Sequence, residues 1–548
     1  MSLTRRGLFT RAGMGLVAAA APLSISSQTP TEGFGGTPEQ IHLTFGDDPA
    51  SSMCISWATP AQAVNPRVLL KTPSGESVVH AVQRTYTDGL NGQTVFTYHA
   101  TVAGLPPGST HQYSVTADND HHHAAPFTAS FRTAPRGRAA FRWTSYGDLA
   151  TPNTSWVLSS PQSRFAVQAV ETFQPLFHLL NGDLCYANLN LEAQPAVWAD
   201  FGRNVQDSAA HRAWMPCPGN HEIEFGNGAQ GLNSYLTRYS LPNNGTAFAG
   251  HWYRFQVGSV LFISLSADDV IYQDSGPFWA GPAPLQPAPS TGNTPIEPGT
   301  SLYIRGYSNG AQTRWLEATL AAAAQDPSVD WIVVQMHQDA LSSSKGNGSD
   351  KGIRESWLPL FDRYGVDLVL CGHDHDYERS WPVRGCNHHV GRDAATGATV
   401  DTCQPQPVVT ALPPEGHFDT RLGTVHLILG GGGTSSPVDS YGMNAATGAP
   451  EAKVITKPNR PMPGSKPGTF VKAGADARED AIWSARRDTE TGYGIAVFDV
   501  SPAPAHGKTS ITVRYYHAPG ADRTPNPHYE LFDTLVLAKE LPKRFPPI

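Results

Sequence analysis

Between Glu39 and Thr133, apolar and polar residues alternate in short runs broken by turn residues, the two-residue period of half-buried strands. Ile41-His42-Leu43-Thr44-Phe45, Met53-Cys54-Ile55-Ser56-Trp57, Val68-Leu69-Leu70, Phe96 to Val102, Tyr113-Ser114-Val115 and Ser130 to Thr133 cluster β-branched and aromatic side chains. Leu105-Pro106-Pro107-Gly108 is a turn between two of them. No helical period interrupts the stretch, so the pattern predicts a small all-β sandwich over 36–135, left through Ala134-Pro135-Arg136-Gly137.

After Ala139 the rhythm changes. Phe141 to Tyr146 runs into Gly147-Asp148, and Leu176 to Leu180 into Asn181-Gly182-Asp183. Trp331 to Met336 runs into His337, and Val366 to Cys371 into Gly372-His373. Thr313 to Ala324 has helical periodicity with an Ala-rich face. Strands alternating with helices predict an α/β layer architecture over 139–548, with ligands gathered beyond the carboxyl ends of the strands. Strand-like runs at 424–429, 494–500, 510–516 and 532–537 are expected to complete the sheets of this α/β region over 420–548. Pro277 to Pro298 reads as a surface insertion, and no internal repeat is present.

Composition narrows the class. Hydrophobic residues make up 40% and charged ones 16%, a globular balance, and 548 residues suggest two to four domains. A net charge of −8 argues against nucleic acid or an anionic membrane as the main partner, since both want a basic face. Thr4-Arg5-Arg6-Gly7-Leu8-Phe9 is a twin-arginine pattern, followed by an apolar run from Ala12 to Leu23. That run falls short of the ~20 residues a membrane span needs. Residues 1–30 are therefore expected to be a twin-arginine export signal and linker, with a periplasmic or extracellular destination. No other segment is long and apolar enough to cross a membrane. None of the six cysteines shows zinc-knuckle spacing. Cys386 and Cys403 bracket a polar excursion, and an oxidising destination would let them pair. Cys185, Cys217 and Cys371 read as packing residues.

The polar strand ends supply, in order, Asp148; Asp183 with Tyr186; Asn220 then His221; His337; His373 and His375. An isolated Asp after Gly is commonly a turn residue or helix cap. The recurrence of oxygen and imidazole donors at five strand ends is not explained that way. Gly147, Gly182, Gly219 and Gly372 precede donors, where backbone bends sharply or approaches a ligand closely. In an extended chain His373 and His375 would point to one side, ~6.6 Å apart, able to take one ion each of a pair ~3.5–4 Å apart.

The series Gly147-Asp148, Gly182-Asp183-Leu184-Cys185-Tyr186, Gly219-Asn220-His221-Glu222, Val334-Gln335-Met336-His337 and Gly372-His373-Asp374-His375 resembles the five motifs of the metallophosphoesterases. The tyrosine of the second motif and Asp376-Tyr377-Glu378-Arg379 are similar to the purple acid phosphatase branch. The N-terminal sandwich resembles the fibronectin-III-like domain of its large plant and bacterial members. The resemblance implies a layered α/β sandwich of two sheets flanked by helices. Asp148, Tyr186 and His375 would bind a ferric ion, and Asn220, His337 and His373 a divalent iron, zinc or manganese. Asp183 would bridge both. Hard oxygen donors suit Fe(III), while imidazole and amide oxygen suit a divalent ion. Two carboxylates, a phenolate and a hydroxide offset four of five positive charges, and the remainder suits a small phosphate ester. The implied reaction is in-line attack of a metal-bound hydroxide on phosphorus.

His221 is read either as a donor to the phosphate or leaving group, or as a brace for the cage. Asp374 is read as a supporting residue. Plant members carry further histidines after the fourth motif, whereas here His337 is followed by Gln338 to Lys345 with none before His373. His221 and Asp339 are then the local candidates for the general acid. Phosphate monoesters are the expected substrates. The competing readings are a phosphodiesterase on nucleotide or lipid head-group diesters, and an exported binding protein with a decayed site. The presence of all seven ligand types argues against decay. His121-His122-His123 reads as a solvated hairpin tip, and Gly430 to Gly433 as a tight turn near the site.

Overall fold

The computed structural model describes residues 36–541, apart from 73–74, 119–125, 225, 229, 274–306, 393–398, 414–415, 435–440, 458–459, 462–469, 472–474, 504–506 and 522–526. The export signal, His121-His122-His123 and Pro277 to Pro298 lie outside the described residues. Among the described residues, no helix is long and apolar enough to cross a membrane.

Two sheets, of eleven and seven strands, share one core. The alternation of side chains along each strand explains the layering. Phe177 and Leu179 of the Phe177–Leu180 strand point into the core between the sheets, while Leu180 turns to the other face. There it meets Val167 and Trp198 of the helices Gln162–Phe173 and Gln194–Ala209. In the second sheet Val333 faces inward; Ile332 and Val334 pack outward with Leu316 and Leu320 of the helix Ala311–Gln325. Strands covered on both faces become continuous apolar runs, as read in the sequence. Trp143, wholly buried, stacks on Phe498 at 4.5 Å and meets Phe262 of the facing sheet edge-on at 5.2 Å.

Within the larger sheet Phe141–Tyr146, Phe177–Leu180 and Ala213–Pro216 lie side by side and parallel, with Tyr146 opposite Leu180 and Leu180 opposite Pro216. In the other, Trp331–Gln335 and Leu368–Cys371 are parallel neighbours. Five strands therefore end at one rim. The C-terminal strands Gly494–Ser501, Gly507–His517 and Glu530–Leu541 extend the larger sheet, and Val425–Leu429 joins the smaller.

The N-terminal β-region is less separate than its sequence suggests. Gly75–His80, Val64–Thr72, Thr110–Asp118 and Phe127–Arg132 form a sheet of their own. The opposing strands, Glu39–Phe45, Met53–Thr59, Thr94–Val102 and Val82–Thr87, continue the eleven-stranded sheet through a parallel pairing of Leu43 with Ala213. An open edge beside Ala213–Pro216 would leave backbone groups unpaired, and Glu39–Phe45 covers it.

Cys386 and Cys403 form a disulfide across the hairpin of Val383–Arg392 and Thr399–Val409. Cys54, Cys185, Cys217 and Cys371 are free and buried.

Candidate metal centre

The residues singled out at the strand ends meet at the common rim of the two sheets. Tyr186 donates its hydroxyl to Asp148 Oδ1 at 3.0 Å, and His375 Nε2 lies 3.1 Å from that hydroxyl and 3.2 Å from Asp148 Oδ1. Beside them His337 Nε2 is 3.1 Å from Asp183 Oδ2 and 3.3 Å from His373 Nδ1. Asp183, His337 and His373 offer ligand atoms that all lie within 4.8 Å of one another. Asn220 Oδ1 is buried and has no hydrogen-bond partner. A buried carbonyl oxygen without a donor is rare in folded proteins, and a cation would satisfy it. The donor set therefore fits an ion pair. Six of the seven side chains are buried, and His375, 18% exposed, marks the side open to solvent.

Each donor is held from behind. His337 Nδ1 pairs with the Asn181 carbonyl at 2.7 Å, which turns Nε2 inward. Asp148 Oδ2 accepts the His373 amide at 2.9 Å, and Asp183 Oδ1 the His221 amide at 2.8 Å. Glu222, given no separate role from the sequence, accepts three backbone N–H groups: Asp183 at 2.9 Å, Leu184 at 2.8 Å and Gly219 at 2.7 Å. It ties the second and third motifs together. Its place three residues after Gly219 was the available signal, being a capping position for the single turn Asn220–Glu222. Thr434 and Gln273 carried no such signal. Thr434 donates its amide and its hydroxyl to the Asp148 carbonyl, both at 3.0 Å.

One expectation about local geometry is corrected. His373 and His375 do not sit on an extended strand: His373 has φ +67°, and Asp374 N bonds back to Gly372 O at 2.8 Å. The chain turns between them, so each imidazole reaches its own half of the cage. The glycines before the donors divide between the two roles expected of them. Gly182 alone of the four has a positive φ, +78°, whereas Asp148 and Asp183 themselves take φ +59° and +49°. Gly147 and Gly372 are required by proximity: a Cβ would lie 2.9 Å from Asn181 O at Gly147 and 2.5 Å from Asp148 Oδ2 at Gly372. The run Gly430 to Gly433 is the tight turn expected, with Gly432 N on Gly147 O and Gly433 N on Asp148 O, both at 3.0 Å.

Packing so many titratable groups together pushes them apart in acidity. Burial raises the Asp183 carboxyl, but His337, His221 and His373 outweigh it and hold the group well below the carboxylate range. Burial alone would lower His337, yet Asp183 and Asp148 bring it up to about 10. Tyr186 is pushed well up by burial and by the neighbouring carboxylates, so without a cation its phenol keeps the proton it shares with Asp148. His221 Nδ1 pairs with Asn188 Oδ1 at 2.8 Å, and its Nε2 lies 3.8 Å from Asp183 Oδ2. Asp339 is wholly buried, its acidity lowered by burial and by Asp374, Glu378 and Asp376. Asp374 accepts from Ser342 Oγ at 2.5 Å and from the Asn347 and Gly348 amides, which braces the turn between the two histidines.

Comparison with known proteins agrees with this geometry. Residues 38–133 match the family described as purple acid phosphatase, N-terminal domain, and residues 162–377 the calcineurin-like phosphoesterases. An uncharacterised protein of Mycobacterium tuberculosis is 40% identical over 496 residues, 88% of this chain and 84% of its own. Human acid phosphatase type 7 is 26% identical over 366 residues, covering 63% of this chain and 71% of its own. Among solved structures, purple acid phosphatase PPD1 from yellow lupin seeds shares the fold. Its TM-score is 0.60 at 16% identity, over 92% of this chain and 75% of that one. By its matched domains and its relatives, the chain belongs to the purple acid phosphatase family of metal-dependent phosphoesterases.

Proposed function

We propose that the protein is an exported acid phosphatase that hydrolyses phosphate monoesters on a centre of one ferric and one divalent ion, the latter iron, zinc or manganese. The carrying observation is the convergence of seven donor side chains at the joint rim of two sheets, with Asn220 Oδ1 buried and unpartnered. Asp148, Tyr186 and His375 would hold the ferric ion, Asn220, His337 and His373 the divalent one, and Asp183 both. Loaded, such a centre supplies an activated water and positive charge for the phosphoryl oxygens.

The chain's own groups do the rest. Backbone amides at His221 and His373 hold the two carboxylates in fixed rotamers, so little reorganisation accompanies the reaction. With Nδ1 donating to Asn188 Oδ1, His221 in its doubly protonated form carries an Nε2–H that can be given to the phosphate or the leaving oxygen. Asp339, buried among other carboxylates, is the poorer candidate for that proton. Export is supported by the twin-arginine pattern at Arg5-Arg6 and by the Cys386–Cys403 disulfide, which suits an oxidising compartment. Relatives named acid phosphatase type 7 in human and phosphoenolpyruvate phosphatase in Allium cepa favour a monoester.

The test pairs metal analysis with parallel assays on an aryl phosphate monoester and its diester. Two ions per chain and a preference for the monoester are expected, and Asp183→Ala should lose both the ion pair and more than ~10³-fold in kcat. Full turnover by that variant would refute the site, and a much larger kcat/KM on the diester would reverse the substrate class.

A further inference from the structure

We propose that Gln273 is a positioning residue that fixes the ring of His373, presenting Nδ1 to the divalent ion by accepting the proton on Nε2. This rests on the assignment of His373 to that ion. The inward side of the ring is set by its neighbours: Nδ1 lies 3.3 Å from His337 Nε2, itself 3.1 Å from Asp183 Oδ2. On the outward side, His373 Nε2 meets the side-chain amide of Gln273, whose nitrogen and oxygen ends are exchanged by a half-turn of the amide and whose nitrogen is the one placed against the ring. Both residues are buried, so water does not substitute readily for this contact.

An amide can present either its NH₂ or its carbonyl oxygen by turning over. With NH₂ presented, Nε2 would have to be bare and the ring proton would sit on Nδ1, in the space a cation needs. With the carbonyl oxygen presented, Nε2–H is satisfied and the Nδ1 lone pair faces inward. Only the second arrangement serves a ligand, and it is the usual one for metal-binding histidines, whose outer N–H has an acceptor. The backbone placing that acceptor is itself fastened. The carboxylate of Asp350, wholly buried, accepts the amides of Tyr272 at 2.9 Å, Gln273 at 3.0 Å and Gly352 at 2.8 Å. Asp350 N in turn donates to the Asp339 carbonyl at 2.8 Å, two residues beyond His337. The strand end that carries His337 thus also orients His373, a second ligand of the divalent ion, through Asp350 and Gln273.

The experiment uses the full chain loaded with zinc in both positions, wild type beside Gln273→Leu and Gln273→Glu. Affinity for the second zinc is measured by chelator competition, and the ring nitrogens of His373 by ¹⁵N NMR of histidine-labelled protein. The expected result is zinc on Nδ1 and a slowly exchanging Nε2–H in wild type. Gln273→Leu should bind the second zinc ~10–100-fold more weakly, the range for removing such a partner. Gln273→Glu, which keeps an acceptor, should stay within ~3-fold of wild type. Zinc on Nε2 in the wild type overturns the proposal without reference to any variant, as does unchanged second-zinc affinity in Gln273→Leu. A wild type that binds no second zinc would instead bring down the two-ion reading on which the proposal rests.

Discussion

Four of the seven proposed ligands hold backbone angles that L-residues avoid: Asp148 at φ +59°, Asp183 at +49°, Tyr186 at +59° and His373 at +67°. Asp tolerates this region through local hydrogen bonds, but Tyr and His do so at ~1–3 kcal/mol each. The surroundings hold that strain, chiefly Glu222 and the glycine turn at 430–433. Glu222→Gln keeps the shape but has one acceptor oxygen for three amides. It should lower stability by about 2 kcal/mol, read from the denaturant midpoint, and weaken ion binding because the Asp183 backbone loosens. Tyr186→Phe removes one oxygen from a buried site. The folded protein should survive, while the visible absorption of the iron-loaded enzyme should vanish; an unchanged spectrum means that the phenol is not a ligand.

Among the elements, the five parallel strand ends carry the site because their registers align Tyr146, Leu180 and Pro216 in one sheet and Gln335 with Leu370 in the other. Loops beyond aligned ends begin at the same level, so donors far apart in sequence arrive together. The hairpin closed by Cys386 and Cys403 packs instead on the outer helices: the Asp362 carboxylate, on the helix Leu358–Tyr364, accepts the Gly385 and Cys386 amides at 2.8 and 2.9 Å. Opening the bridge with Cys386→Ser and Cys403→Ser should cost about 3 kcal/mol, for a loop of 17 residues. Activity at low temperature should stay near that of wild type, because the hairpin contributes no donor to the cage. A loss of ion binding in the double variant would show instead that the hairpin supports the centre.

For the whole molecule, the carboxyls outside the cage contribute a pH dependence to stability. Burial pushes Asp269 and Asp350 up to about 7 against the hydrogen bonds each accepts. A raised folded value means that their contribution is complete below ~pH 4 and is lost as pH rises through 7. Asp48, Asp200 and Asp419 are shifted the other way: burial raises them, but hydrogen bonds and nearby arginines prevail. Their contribution fades as pH falls below ~4. The stability that Asp269 and Asp350 control should therefore fall from pH 5 to 8, against buried histidines such as His99 and His426, which burial holds neutral and which cost stability as pH falls below ~6.5. At constant metal content the Tm of wild type relative to Asp269→Asn should fall from pH 5 to 8; a relative Tm that rises over that range would contradict this account.

Sequence alone determined the kinds of donor, their order along the chain and the strands that end in them, because metal chemistry restricts residue type and a buried strand must be apolar. The apolar runs around Trp143 and Trp331 were legible as core for the same reason, and both residues are buried; the polar strand ends were legible as a site because nothing else explains their recurrence. Tertiary structure decided what no local pattern encodes. Residues 38–133 share a sheet with the catalytic strands through a single pairing of Leu43 with Ala213, a contact 170 positions apart. The turn at His373 reverses what its spacing from His375 implied, since a bend depends on what presses on the backbone from elsewhere, here the Asp148 carboxylate. Glu222, Gln273 and Thr434 acquire their roles only when distant amides, a ring nitrogen and a carbonyl are brought against them. Hydrogen-bond partners are set by folding, and the residue type of an acceptor does not name its donor.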